Sequence, residues 1–412
     1  MARLLLILPT ATYRASDFLA AAAEVGAEVV VASERRQVLA DIMKDTFLQI
    51  DLRRPEAAAA SIVALSRRRR IDGIVAVDDQ GVLAAAMAAG DLGLPHNPPD
   101  AVMATRDKLA MRETLAAAGV VQPRFASVGP DEDVAAAAAT VGFPCVIKPT
   151  SLSASRGVIR ADDPPGAKLA GDRVRAIAAD AGEDPRGRLL VETFVPGAEV
   201  AVEGLLRGGV LETLAVFDKP DPLEGPYFEE TIYVTPSRLA PSAVAAVERT
   251  AAAACAAMGL VEGPVHVELR TEGGTAWLIE VAARSIGGLC SRSLSFGVGL
   301  SLERLIVAHA LGMPLDGLSR EQRAAGVMML PIPARGRLEG VSGQEEALRV
   351  PGITGLDISI APGRPVRPLP EGDRYLGFLF AKGDTAEEVE ASLRRAHAHL
   401  GVRVVDDEQG DG

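Results

Sequence analysis

The chain has 412 residues, of which 48% are hydrophobic, with 41 Gly, 27 Pro and a net charge of −12. That length exceeds one ordinary core and implies two to four domains, and the composition is globular rather than disordered. The acidic balance argues against nucleic acid or an anionic membrane as the main partner, and no apolar run reaches the roughly 18–20 residues of a membrane span.

The opening MARLLLILPTATYR has a short apolar run and no small-residue cleavage pattern. It reads as a first buried strand rather than a signal peptide. RLLLIL, EVVVAS, FLQI and GIVAV then alternate with alanine-rich helical stretches near residues 15–25, 55–69 and 81–90. Such alternation predicts a parallel α/β layer. Ligands approach the carboxyl ends of such strands. Here those ends are Pro9-Thr10-Ala11 and Asp78-Asp79-Gln80-Gly81, which read first as ordinary loop turns. Arg67–Arg70 closes a helix, where cations complement the dipole. After GLPHNPP, Asp100 is expected to cap one helix that runs through Lys108 and ends at Gly119.

Next come strands FASV and PCVIKP, a loop SLSASRGV, a helix near 166–181 and strands LLVETFV and EVAVEGLL. A helix from about 240 leads into a hairpin. After about 325, GVMMLPIPARGRLEGV and DISIAPGRPV read as short strands, and GFLFAKGDTAEEVEASLRRAHAHLG as a strand, a capped turn and a closing helix. The polar end DDEQGDG is expected to fray. Cys145, Cys255 and Cys290 show no C-x-x-C spacing. They read as free thiols in a reducing cytoplasm, with Cys290 a buried thiol rather than a reactive one.

The hairpin VHVELRTEGGTAWLIEVAARSIGG carries the chemistry. If it folds about Gly274, Glu268 stands opposite Glu280, with His266 and Arg270 on the same face as Glu268. Two carboxylates across a ladder repel. A hard divalent cation such as Mg2+ relieves that repulsion and keeps substrate phosphates among its ligands. The alternative is a solvated hairpin face. Neither a Walker loop nor a strand-bounded dinucleotide motif is present. Instead Lys108 lies on a helix and Lys148 ends the strand CVIKP. Ser151, Ser153, Ser155 and Gly157 form a loop whose hydroxyls and N–H groups could wrap phosphates. Glu192, Glu199 and Glu203 lie on and around two strands joined by Pro196-Gly197. Glu199 is preferred as the functional member of its face and Glu203 as the solvated one. Lys219, in FDKPDP, reads as a further phosphate contact or, at least as well, as a solvated loop lysine.

In order, TRDKLAMRETLAAAGV, VIKP with SASRG, LLVETFVPGAEVAVEG, PYFEETIYVTPS, the hairpin and ARSIGG resemble the ATP-grasp superfamily of carboxylate–amine ligases, and within it the L-amino acid ligase (dipeptide-forming) branch. The resemblance covers nearly the whole chain. It implies an ATP-grasp α/β fold in four parts: an N-terminal parallel α/β domain (1–105), a small lid domain (106–190), a central antiparallel-sheet catalytic domain (191–325) and a C-terminal α+β domain (326–412). It implies ATP and Mg2+, with Mn2+ as an alternative, small-molecule carboxylate and amine substrates, a cytoplasmic enzyme and, among its assemblies, a homodimer.

Carried over to this chain, the resemblance assigns Lys108 and Lys148 to the ATP phosphates and the Ser153–Ser155–Gly157 loop to the triphosphate lid. Glu192 and the backbone at Phe194 and Val195 would meet adenine, and Glu199 the ribose. Glu268 and Glu280 would hold the metal. Arg284 with the Gly287-Gly288 backbone would face the reacting carboxylate, and Glu230 and Tyr233 would lie near the substrate amino group. Two positions depart from the pattern. Ala282 replaces an Asn that would add a metal ligand, and Tyr233 replaces a histidine. His266 is a poor match for a hard cation and is expected in a supporting role. The implied activity is an ATP-dependent C–N ligase that joins an amino acid to a second amino acid or amine. The competing readings are another ATP-grasp ligase or carboxylase, and a non-catalytic nucleotide-binding protein.

Overall fold

Apolar runs at the start of the chain form strands buried on both faces, as in a parallel sheet covered by helices. The protein was described from a computed structural model that covers residues 1–35, 46–297, 299–315 and 319–406. The first unit comprises β1 (Arg3–Ile7), α1 (Ala15–Glu24), β2 (Glu28–Ser33), β3 (Phe47–Gln49), α2 (Pro55–Ser66), β4 (Gly73–Ala76) and α3 (Asp79–Asp91). Its sheet has the order β3-β2-β1-β4, all parallel. Leu4 and Leu6 face one core, and Leu5 and Ile7 face another with Ile62. The carboxyl ends of β1 and β4, at Tyr13-Arg14 and Val77–Asp79, point into the rest of the molecule.

The single helix expected from Asp100 to Gly119 is two: α4 (Pro99–Arg106) and α5 (Lys108–Ala117). Asp107 breaks it. Its backbone is extended and its carboxylate accepts from the N–H groups of Leu109 and Ala110 at 2.8 and 3.1 Å, so it caps the second helix. Asp100 lies in the first turn of α4 instead of at its cap. The break turns Lys108 and Arg112, one helical turn apart, toward the strands described next.

A small sheet follows, built from β5 (Phe125–Val128), α6 (Val134–Val141), β6 (Cys145–Pro149), β7 (Ile159–Ala161), α7 (Pro164–Asp180) and β8 (Leu189–Thr193). Its strands run antiparallel in the order β5-β8-β6-β7. Beyond it come β9 (Ala198–Arg207), β10 (Val210–Lys219), β11 (Ile232–Thr235), α8 (Pro241–Ala257), β12 (Gly263–Glu272), β13 (Thr275–Ala282) and α9 (Leu302–Ala310). The last part holds β14 (Ala324–Leu330), β15 (Gly336–Ser342), α10 (Gln344–Leu348), β16 (Ile353–Ile358), β17 (Pro365–Val366), β18 (Gly377–Gly383), α11 (Ala386–His397) and β19 (Gly401–Val405).

One antiparallel sheet of order β13-β12-β9-β10-β11-β14-β18-β16 runs through both of these parts. The border expected at 325/326 therefore falls inside β14, which pairs with β11 on one side and β18 on the other. The border at 190/191 likewise falls inside β8. A separate sheet of order β17-β15-β19 completes the end of the chain. Of the polar tail, residues 407–412 lie outside the described residues.

Period-two alternation gives the long sheet two unlike faces. Val200, Val202, Val265, Val267 and Leu269 pack under α8 against Val247, Ala251 and Ala254. Glu199, Glu203, His266, Glu268 and Arg270 take the other face, which looks toward the small sheet and the ends of β1 and β4. Three free cysteines are buried among the described residues. No helix among those residues is long and apolar enough to cross a membrane.

Candidate active site

The hairpin realises the pairing of Glu268 with Glu280, but not by the turn alone. Gly273 and Gly274 are its central residues, with φ of +56° and +82°, as a two-residue turn of matching twist requires. Glu272 pairs with Thr275, and that register would set Glu268 opposite Ile279. A bulge between Glu268 and Leu269 leaves Ile279 as the extra residue and brings Glu280 across from Glu268. The carboxylates then find different partners. Glu280 lies 3.2 Å from Lys108 Nζ, whereas Glu268 lies 3.4 Å from Lys219 Nζ and 3.5 Å from His266 Nε2.

Lys219 ends β10 and its side chain is buried, so the solvated reading is corrected. Its ammonium lies 2.7 Å from Glu199 and also contacts Glu230. Carboxylate oxygens of Glu199, Glu230 and Glu268 lie within 4.8 Å of one another. Burial disfavours a charged lysine, but Glu199, Glu230 and Glu268 together raise Lys219 well above its ordinary value. Burial, and then Glu268 and Glu199, lift Glu230 to about 7 against the pull of Lys219. Tyr233 donates to Glu230 Oε2 at 2.8 Å. The other oxygen of Glu199 accepts from Arg270 Nε at 2.8 Å.

Glu203 is not solvated. It is fully buried, accepts the Ile286 N–H at 3.0 Å and lies 3.1 Å from His266 Nδ1. His266 thus bridges Glu203 and Glu268 in a supporting place. Burial works against its charge, but hydrogen bonds to Glu203 and Glu268 raise it to about 9.

A second cluster joins the small sheet to α5. Lys148 Nζ lies 2.7 Å from Glu192 Oε2, and Arg112 Nε lies 2.6 Å from Oε1. Burial opposes the charge of Glu192, yet Arg112 and Lys148 hold its carboxyl at about 2. Burial lowers Lys148 despite the same pairing, with Arg112 and Lys108 adding to the effect. The two partners differ because one carboxylate serves two cations. Lys108 Nζ also donates to Leu152 O at 2.7 Å, which tethers the Ser-rich loop. In that loop Ala154 and Ser155 have φ of +57° and +54° and Gly157 +72°. The Arg156 and Val158 N–H groups close turns onto Ser153 O and Ser155 O at 3.2 Å each. Ser153 is exposed and Ser155 partly so. The Gly157 N–H donates to Pro370 O at 3.0 Å, so the loop rests on the segment between β17 and β18.

The segment between the two sheets is already partly engaged. The Phe194 N–H donates to Pro144 O at 3.0 Å, and Val195 O accepts from Arg270 Nη1 at 2.6 Å. The Phe194 ring lies between the guanidinium groups of Arg160 and Arg270, 4.5 and 5.0 Å from its centroid.

Arg284 follows the hairpin and meets Asp79 Oδ2 of α3 at 3.0 Å. Burial raises Asp79, but Arg284 outweighs it and holds the carboxyl below its ordinary value. Gly287 has open space where a Cβ would stand, while a Cβ on Gly288, at φ +59°, would lie 2.6 Å from the Phe378 ring. Ala282 is buried in register with His266 and offers no ligand atom. Cys290 is buried, which pushes its thiol far up and keeps it unreactive.

Arg270, Arg112 and Asp79 were not singled out from the sequence as site residues, and Lys219 only as an alternative phosphate contact. Arg112 had a signal, because it stands four residues after Lys108 on one helix face. Arg270 had another, because it shares the Glu268 face of the hairpin. Asp79 had only its place at the carboxyl end of a parallel strand.

Three family profiles match in chain order: an ATP-grasp N-terminal domain at residues 19–96, an ATP-grasp domain at 141–293 and L-amino acid ligase C-terminal domain 2 at 328–405. The crystal structure of L-amino acid ligase from Bacillus licheniformis superposes with a TM-score of 0.79 at 24% identity, covering 98% of this chain and 99% of that one. Carnosine synthase 1 from Homo sapiens is 28% identical over 371 residues, 83% of this chain but 45% of its own length. Alanine–anticapsin ligase from Bacillus subtilis (strain 168) is 26% identical over 269 residues, 61% of this chain and 56% of its own length. The chain thus spans about half the length of these two relatives.

Proposed function

The chain belongs to the ATP-grasp superfamily, whose members use ATP and a divalent metal, and from that premise we propose that it is an ATP-dependent C–N ligase that joins an amino acid to a second amino acid or amine. The observation that carries the reading is the gathering of Glu199, Glu230 and Glu268 around Lys219, with Glu280 in register beside Glu268. Relatives named as an L-amino acid ligase, a carnosine synthase and an alanine–anticapsin ligase support the choice of an amino acid substrate over bicarbonate or a purine precursor.

An oxygen-only donor set suits a hard cation, and a protein ammonium already stands where positive charge is needed. Glu268 and Glu280 would hold Mg2+, or Mn2+ in its place. When bound, the ion supplies charge neutralisation for phosphate oxygens. Lys148, Lys108 and the 153–157 loop hold the triphosphate, while Glu192, Phe194, Val195 and Glu199 form the nucleoside site.

Arg284 binds the reacting carboxylate with its planar fork. Asp79 and Glu230 are the acidic groups for the ammonium ends of the substrates. A carboxylate oxygen attacks the γ-phosphorus of ATP and ADP leaves. The amine then attacks the acyl carbon and phosphate leaves. Both steps build negative charge on oxygen, which Lys148 and Arg284 stabilise electrostatically. Glu230, poised near neutrality, suits removal of a proton from the incoming ammonium, with Tyr233 holding it in place. The loop excludes water from the acyl phosphate. Gly287 leaves its backbone open to the substrate.

The buried free thiols agree with a reducing cytoplasm, and a homodimer is part of the proposal, to be measured by light scattering. The test of the activity is ADP release over pairs of amino acids and amines, with mass spectrometry of the product. Amino acid-dependent ADP release with a new amide supports it. ATP binding without ADP release across the whole panel refutes it and favours a non-catalytic nucleotide-binding protein.

A further inference from the structure

Arg14 follows β1 and is fully buried, yet it belongs to none of the clusters above. Its Nη1 donates to Val77 O at 3.3 Å, and its Nη2 donates to Ser285 Oγ at 2.8 Å and to Glu303 Oε1 at 3.2 Å. Ser291 Oγ also donates to Glu303 Oε1, at 2.5 Å. The guanidinium lies 4.9 Å from the Phe18 ring centroid. Val77 precedes Asp79 by two residues and Ser285 directly follows Arg284. One rigid side chain therefore holds the carriers of both members of the Asp79–Arg284 pair. From the far side Glu203 holds the Ile286 N–H.

We propose that Arg14 is a positioning residue for the Asp79–Arg284 pair, setting the spacing between the N-terminal unit and the Arg284–Gly288 segment by clamping Val77 O and Ser285 Oγ with one guanidinium. The inference rests on the ligase reading for what the pair binds. The geometry favours this role over bulk stabilisation. A buried charge is a weak route to stability, and an apolar side chain could fill the space. A planar fork that reaches two separate chain segments at once is what neither Lys nor Met reproduces. Small misplacements of a substrate-orienting group are costly in rate even when their origin is remote.

The test uses the full chain with MgATP and the amino acid pair that gives the fastest ADP release. Arg14→Lys keeps the charge and loses the fork. It should raise KM for the carboxylate-donating amino acid about tenfold while leaving KM for ATP within about twofold. Ser285→Ala should act in the same direction, by about threefold, and add nothing to Arg14→Lys, because both remove one contact. Arg14→Met should exceed Arg14→Lys; should it not fold, the other two variants decide. Wild-type constants in Arg14→Lys and Ser285→Ala overturn the proposal, as does an equal change in both KM values, which marks general loosening. If the wild type releases no ADP with any pair, the ligase reading fails by itself. Arg14 is then judged by the side-chain Nε–H resonance of Arg284 in arginine-labelled protein: a shift in Arg14→Lys supports the clamp and an unmoved resonance overturns it.

Discussion

Replacing Lys219 by Met removes one ammonium and keeps most of the stem volume. At an effective dielectric of about 20, a unit charge at the observed 2.7 Å from Glu199 is worth about 6 kcal/mol, and at the 3.4 Å from Glu268 about 5 kcal/mol. Desolvation of the lysine cancels much of this, and breaking a buried pair typically costs about 3–5 kcal/mol. Glu230, already near 7, takes a proton when Lys219 is lost and moves the cost to the lower end of that range. At about 2–4 °C per kcal/mol for a cooperative unit of about 150–250 residues, the apo thermal midpoint of the unit built on the long sheet should fall by about 6–12 °C. A divalent cation should restore the missing charge, and at about a hundredfold its Kd would return about 2.7 kcal/mol. The assay is thermal unfolding of both proteins with and without MgCl2, free of nucleotide. Mg2+ should stabilise the variant more than the wild type. Equal midpoints without metal, or equal gains with it, would refute the carboxylate-cluster argument.

Three further outcomes are expected. Glu280→Gln should raise the Mg2+ concentration for half-maximal ADP release about tenfold or more; an unchanged titration removes Glu280 from the metal shell. Arg284→Ala should lower turnover about a hundredfold at saturating substrates, the cost of one charge-stabilising donor; near-normal turnover denies its role. Glu192 is held at about 2 against an ordinary 4.5, so its stabilisation is present above the ordinary value and lost as pH falls from about 4.5 toward 2. That shift corresponds to about 3 kcal/mol, reduced because burial also lowers Lys148. Denaturant midpoints should drop below pH ~4.5 in the wild type and much less in Glu192→Gln, and parallel curves would contradict this.

The layers of the fold were legible because apolar period and strand–helix alternation are local properties. The Asp107 break was not, because its cap competes with a helical pattern that continues on both sides. The Glu268–Glu280 pairing was reached from alternation, but its cause, the extra Ile279, was hidden, because a bulge leaves no period in an apolar run. Lys219 and Glu203 were misread for one reason. A charged residue at a strand end or on a polar face looks solvated until another element covers it, and here the Arg284–Gly288 segment and the facing carboxylates do so. Arg14 and Asp79 act across more than two hundred residues, and only the packing of β1 and β4 against α9 and the segment that follows the hairpin brings them to Arg284.

Internal ion pairs hold the charged groups assigned to the ligands. Glu192 sits on Lys148, Glu280 on Lys108, Lys219 among three carboxylates and Asp79 on Arg284. Substrate binding is then an exchange of partners rather than an addition of contacts. Such an exchange limits affinity, since each new contact is measured against the one it replaces. It gains selectivity, because a ligand lacking one charge would leave a buried group unpaired at a cost of several kcal/mol. On this argument a neutral amide analogue of the carboxylate substrate should bind far more weakly than the loss of one hydrogen bond explains. In the Asp79→Asn variant Arg284 lacks its internal partner and the substrate ammonium its carboxylate, so isothermal titration should show a carboxylic acid without the amino group binding tighter than to the wild type and the amino acid itself binding more weakly.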